Sequence, residues 1–387
     1  MEKSLRASLP PIYEPLLSDF FDREAIVETR ATCDDCEMCN KGQHPEGVEA
    51  TYFRPDVKCC SFHPSLPNFL AGSILSDERA EAAEGKKRMR ALIAARIGVT
   101  PHWLSPSAKY HMLYEAARRA SFGRTDNLIC PYFDEDGRCS VWRHRESICT
   151  TYYCKFTRGV HSGKFWNALK GYLSFTEGCL ARWSSREVDK EVTEIQVNPH
   201  QLTLEELEDL PPNEEMYKRH WKSWVGREAE FYMACAAKIR GMDRAAFEKV
   251  VDAAPRGKDL TTTLKTMYAN AIAPRLPDKL KLHPKLKTLL LVNNKGMAIT
   301  TPYNPYDIFS VEGRVYETLQ ELTHDTTFAE TRAQLEKDGT PLDDELVKVL
   351  ASHEVLIAPD HPILAQQAKA VETPPEKAGQ SAGEEGA

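Results

Sequence analysis

Cys33, Cys36 and Cys39 follow one another at steps of three and Cys59 stands next to Cys60, so five thiols fall within 28 residues. A C-x2-C step lets two thiolates converge on one ion or cluster across a tight turn, a spacing used by zinc sites and iron–sulfur proteins alike. A second group follows in CPYFDEDGRCSVWRHRESICTTYYC: Cys130, Cys139, Cys149 and Cys154. Within it DEDG reads as a turn that folds Cys139 back towards Cys130, and Pro131 fixes the backbone just after Cys130. Arg143, Arg145 and Lys155 surround the set, and positive charge lowers a thiol pKa and offsets the charge of a thiolate centre. In extended backbone neighbouring side chains point opposite ways. Cys59 and Cys60 are therefore expected to divide, one binding while the other packs or serves a second centre.

Nine of the 11 cysteines lie between Cys33 and Cys154. The other two, Cys179 and Cys235, stand alone and read as core residues on helix faces. The nine are candidate ligands for an iron–sulfur cluster or for zinc, since thiolates suit both. The C-x2-C-x2-C run, the excess over one tetrahedral site and the scarcity of histidine within the groups favour the cluster. His63, three residues past Cys60, is a further ligand candidate, with a supporting or loop role as the other reading. Reduced structural thiols and a redox disulfide switch are the competing accounts of the nine. No Gly-rich phosphate loop, no H-E-x-x-H and no C-x3-C-x2-C stands in the chain. No general acid or base is nominated, and whether the protein is an enzyme is left open.

The order of a C-x2-C group, a Cys-Cys pair and then CPYFDEDGRCSVWRHRESICTTYYC resembles the cysteine-rich zinc- or iron-chelating domain family of the YkgJ type. The matching positions are Cys36, Cys39, Cys59, Cys60, Cys130, Cys139, Cys149 and Cys154, within about residues 33–160. The chain departs from that pattern in its additional cysteine, in a pair standing about 20 residues past Cys39, and in HRESIC where an Arg-Pro step is usual. The resemblance implies a metal or cluster protein. A relative with similar cysteines, the flagellin lysine N-methylase group, is linked to an iron–sulfur cluster and methyl transfer, which implies a redox or protein-modifying role. The C-terminal stretch LVNNKGMAITTPYNPYDIFSVEGRVYETLQEL and the helices after it resemble PqqD-like winged-helix modules, which implies a peptide or protein partner taken up at a strand edge.

Around these groups the chain is ordinary for a globular protein: 387 residues, 42% hydrophobic, 28% charged, net charge −7. Mild acidity argues against wholesale nucleic-acid coating. The start lacks a signal-peptide pattern and no apolar run nears the ~20 residues that span a bilayer, so a cytoplasmic location is expected, with no membrane partner. In that compartment thiols stay reduced, which again favours metal over disulfides. The fold class expected is mainly α with irregular Cys-rich metal-binding loops and a small C-terminal α+β winged-helix-like module. Residues 1–180 form the Cys-rich domain, 181–279 a helical block, 280–360 the winged-helix-like module and 361–387 a disordered tail. A helical insert separates the two thiol groups. One helix runs from a Ser76 cap to Gly98 and one from Ser105 or Ser107 to Gly123, pairing as a hairpin that brings the groups together. The basic helix EGKKRMRALIAARIG reads as a solvated face, with an acidic partner as the alternative. KTLLLVNNKGMAITTP reads as two strands around an NNKG turn, followed by three short helices.

Overall fold

The computed structural model describes residues 4–33, 35–39, 53–192, 202–291, 296–300, 303–304 and 307–366. The protein is mainly helical, with small antiparallel sheets, and divides into two compact units, Met1–Pro274 and Arg275–Ala387. The expected seam at residue 180 is not where the chain divides. A single 30-residue helix runs through it and packs the Cys-rich and helical blocks into one unit.

The first unit opens with short 3-10 turns and then pairs β1 (Leu66–Pro67) with β2 (Trp103–Leu104). Helix α1 (Asn68–Leu75) is apolar on all sides and every residue of it is buried, as a helix without a polar face must be. Ser76 closes this helix instead of opening the next one: its Oγ donates to the Gly72 carbonyl at 2.7 Å. Helix α2 (Ala83–Ala95) therefore starts six residues later than a Ser76 cap implies, behind a 3-10 turn at Ala80–Ala82. It ends at Arg96, in left-handed geometry with φ 61°, and Gly98 at φ 69° turns the chain back. A side chain on Gly98 would lie 2.0 Å from the Ser105 carbonyl oxygen, so the turn requires glycine. Helix α3 (Ala108–Ser121) begins as expected, with Ser107 Oγ accepting from the Tyr110 N–H at 3.1 Å.

The short α4 (Ser147–Thr151) leads into α5 (Gly159–Val188), the spine of the unit. Past residues 193–201 come α6 (Leu204–Leu207), α7 (Glu214–Trp221), α8 (Glu228–Arg240), α9 (Arg244–Phe247) and α10 (Pro255–Ile272). Phe165, Leu169, Tyr172, Leu173 and Leu180 of α5 are fully buried, and α10, α8 and α4 pack along it. The insert helices do not make a hairpin: α2 packs on α1 and α8, and α3 on α6.

In the second unit β3 (Lys281–Leu282) is followed by an antiparallel three-stranded sheet of β4 (Lys287–Leu290), β5 (Gly296–Thr300) and β6 (Ile308–Glu312). The two expected strands are present, and Val311–Glu312, expected as helix, belongs to β6. Most of the NNKG turn lies outside the described residues. Three short helices follow, α11 (Gly313–Gln320), α12 (Phe328–Lys337) and α13 (Asp344–Ser352), before β7 (Leu356–Ile357) pairs back onto β3. A Thr327/Glu330 capping box starts α12 and Asp343 caps α13. Ile299, Leu319, Val347 and Leu350 form this unit's separate core. Of the stretch expected as a disordered tail, residues 362–366 are helical and Ile363 is buried, while the remainder lies outside the described residues.

Candidate metal centre

The two thiol groups meet. Cys130 donates its backbone N–H to the Cys60 carbonyl at 2.6 Å, which ties the start of the second group to the end of the first. Lys58 makes a second tie, its ammonium donating at 3.2 Å to the carbonyls of both Cys33 and Gly137. Each such charged hydrogen bond is worth about 1.5–3 kcal/mol when desolvated. The insert holds both groups from its two helices. Arg88 of α2 donates to the Pro131 carbonyl at 2.9 Å, and Tyr110 of α3 donates to the Ser61 carbonyl at 2.9 Å and accepts from the His63 N–H. Gly85 lets α2 approach this closely, since a side chain there would meet the Ser140 carbonyl oxygen at 2.5 Å.

Local chemistry shapes each loop. In the DEDG turn Gly137 takes φ 72°, its N–H bonds the Asp134 carbonyl at 3.1 Å, and Phe133 bridges Cys139 as the turn predicts. Cys59 and Cys60 lie in a 3-10 turn, Lys58–Ser61, and not in extended backbone. The extended backbone from which their divergence was expected is therefore absent, and Cys60 helps to raise the Cys59 thiol. Cys149 sits on α4, whose Glu146 cap accepts from the N–H groups of Ile148 and Cys149. Glu146 and Glu177 of α5 share the Ser147 hydroxyl, so α4 is fastened to the spine through a buried carboxyl pair. Burial is the largest cause that raises both, and the charge of Glu146 raises Glu177 further.

All 11 cysteines are free thiols. The electrostatics show which are neighbours. A charge on Cys59 adds to the rise at Cys33, Cys130, Cys139 and Cys154, and Cys60 in turn raises Cys59. On one side Cys149 is coupled to Cys130 and Cys139, and on the other Cys36 is coupled to Cys33 and Cys154. Cys39 joins through backbone, donating to the Cys36 carbonyl at 3.0 Å, with Phe53 bridged beside it. Burial is the largest cause that pushes Cys130 and Cys154 up to about 12, and neighbouring thiols add to it. Arg145 opposes the rise at Cys33, Cys59 and Cys139, Lys58 at Cys33, and Lys155 at Cys154. Of the cations expected around the thiols, Arg143 has no such coupling among the described residues, and Lys58 was not anticipated. Nothing in the local sequence marks it, because its two partners are 25 and 79 residues away.

The neighbourhood is not a finished coordination shell: among the described residues no three His, Cys, Asp or Glu side chains stand ready to hold an ion. The donor set still fits a thiolate-bound group. Eight thiols gathered with Arg145, Lys58 and Lys155 supply the sulfur donors such a group takes, and they would give up their protons on binding it. Two buried polar atoms beside them, His63 Nε2 and Tyr132 Oη, also lack a hydrogen-bond partner. His63 is held at about 4 by burial, so its imidazole is neutral at physiological pH. Cys235 is fully buried on α8 and Cys179 packs on the core beside Arg182, both away from the group.

No protein-family model matches the chain, and neither does any curated protein or solved structure.

Proposed function

We propose that this protein binds an iron–sulfur cluster or zinc through its clustered cysteines. The observation that carries the proposal is the joining of two thiol groups that lie 70 residues apart, Cys60 to Cys130, by the Cys130 N–H bond to the Cys60 carbonyl at 2.6 Å and by Lys58 bonding the Cys33 and Gly137 carbonyls. Cys130, Cys139 and Cys149 with Cys59 make one set of four, and Cys33, Cys36 and Cys154 with Cys59 make the other. Cys60 and Cys39 lie beside them as further donors. Bound there, a cluster would supply one-electron transfer and zinc would supply structural cross-linking. The chain's own part is to gather the thiols, hold Arg145, Lys58 and Lys155 against their charge, and exclude water with Tyr132 and Tyr153. A cytoplasmic redox or protein-modifying role follows from the cluster form.

A non-enzymatic, zinc-stapled protein-interaction module, or a metal-delivery protein, is the alternative. The β4 edge favours a binding role: all four of its residues are exposed and, among the described residues, it pairs with β5 alone. An unpaired strand edge can accept an extended peptide, as in a winged-helix-like recognition module.

Anaerobic purification followed by an optical spectrum and analysis for iron, sulfide and zinc tests the proposal. Iron with matching sulfide and broad absorbance near 400 nm is the expected result for a cluster, and stoichiometric zinc on colourless protein for the alternative. Cys59→Ser should lower metal content more than Cys179→Ser. Folded protein carrying neither metal would overturn both forms.

A further inference from the structure

We infer that the first unit carries a binding site for a small polyanion, of phosphate or carboxylate type, in the cavity between the N-terminal 3-10 turns and the Trp142–Arg145 segment. The cavity has a volume of about 510 Å³ and an open mouth. Four arginines line it, Arg6, Arg79, Arg143 and Arg145, against a single carboxylate, Glu14. That imbalance is the starting point, because a protein with more acids than bases has gathered guanidinium groups alone around one cavity. Guanidinium is the side chain whose planar fork matches the paired oxygens of phosphate and carboxylate.

The four are not equivalent. Arg6 is committed to Asp22 and to the carbonyls of Leu17 and Ser18, and Arg79 to Asp77. These two form the fixed wall. Arg145 is held without a carboxylate: it stacks at 3.4 Å over the Trp142 ring and donates to the Trp142 and Cys149 carbonyls. Its position is set; its charge faces the thiols Cys33, Cys59 and Cys139, and among the described residues no carboxylate pairs with it. Arg143 is exposed and, among the described residues, has no carboxylate partner. Arg143 and Arg145 are therefore the two guanidiniums free to close on an anion, with Trp142, 52% exposed, as the apolar face beside them.

The site needs no metal for its anion chemistry, although it shares Arg145 with the thiol group. It is adjacent to that group, because Arg145 also reaches the thiols Cys33, Cys59 and Cys139. An anion drawn onto Arg145 would stand at the edge of the thiol group.

Isothermal titration of the full-length protein at low ionic strength with pyrophosphate, and separately with citrate, tests the inference. Saturable one-to-one binding of either probe is expected, and the tighter of the two identifies the phosphate or the carboxylate as the ligand's chemistry. Arg143→Gln, at an exposed position, should weaken it on the order of tenfold, the scale of one charge-assisted bidentate contact. Arg145→Lys should weaken it as well, because lysine keeps the charge and loses the fork. Arg186→Gln, an exposed change of the same charge on α5, should leave it unaltered. Absence of saturable binding for both probes would overturn the inference. So would equal weakening by Arg143→Gln and Arg186→Gln, which would reduce the effect to net charge. Metal content measured on the same samples reports the thiol proposal separately.

Discussion

Asp77 carries more than its place in a loop implies. Its side chain is only 8% exposed, accepts from Arg79 through both carboxylate oxygens, and meets His144 Nε2 at 2.8 Å. Arg79 first, then His144, hold its carboxyl well below the usual carboxylate range. A depressed carboxyl stabilises the fold above its unfolded pKa and loses that contribution as pH falls towards its folded value. His144 works in the same direction, since burial lowers it and protonation then opposes folding. Asp77→Asn should cost about 1–3 kcal/mol in urea unfolding at pH 7, and the gap from the parent should narrow below about pH 4. A gap that stays constant down to pH 3 would remove charge as its cause. The contrast with the cysteines shows what was legible at this scale. Their steps of two intervening residues and the CP…DEDG…C order point to the two groups from sequence alone, and the DEDG turn beside Cys139 forms as that order predicts. Lys58 and Glu177 are ordinary charged residues whose roles depend on partners 25 to 79 residues distant, and Asp77 meets its second partner, His144, 67 residues away.

Helices α1 and α8 pack closely together, and Gly72 makes the approach possible. A methyl group on Gly72 would stand 1.8 Å from the Tyr232 carbonyl oxygen and 3.0 Å from the Ala236 side chain. Neither neighbour can yield, because Tyr232 is a buried backbone position on α8 and its hydroxyl is anchored to the Thr100 carbonyl at 2.7 Å. The helices would have to separate, and overpacking of this kind costs about 1–3 kcal/mol or more. Gly72→Ala should therefore lower stability despite alanine's better helix propensity of about 1 kcal/mol. Gly171→Ala on α5, where the nearest atom is 3.6 Å away, should be neutral or stabilising. Denaturant melts of the two variants compare them directly, and a stable Gly72→Ala would refute the tight crossing. The helices themselves were readable from their periodicity, and α3 from its Ser107 cap. What the pattern could not supply was partnership. α2 and α3 look like a hairpin because they are consecutive, yet the apolar, eight-residue α1 competes for α2 and wins by burying its whole surface.

At the scale of the whole chain the thiols and the helical scaffold belong to one cooperative body, and the C-terminal sheet and helices to another. The expected seam at 180 rested on where cysteines stop. Composition cannot see that α5 continues for 30 residues through that point and fastens α4, with Cys149, to the same core as α8 and α10. The later boundary, near 280, was legible because the pattern there changes from helical to alternating. Each body has its own contiguous apolar cluster, one around Phe165, Trp221 and Phe231, the other around Ile299, Leu319 and Val347. Thermal unfolding of the intact protein should therefore show two transitions, and residues 275–366 alone should unfold cooperatively at the temperature of one of them. All nine clustered thiols lie in Met1–Pro274, so a bound metal or cluster stabilises that body alone. Ligand present at a thousandfold excess over its Kd adds about 4 kcal/mol. For a body of this size that is a shift on the order of 10 °C. Chelator under reducing conditions should lower one transition by that amount and leave the other, shared with the 275–366 fragment, in place. Equal movement of both transitions would mean the two bodies unfold as one. Movement of neither would mean that the thiols hold no metal that matters to the fold.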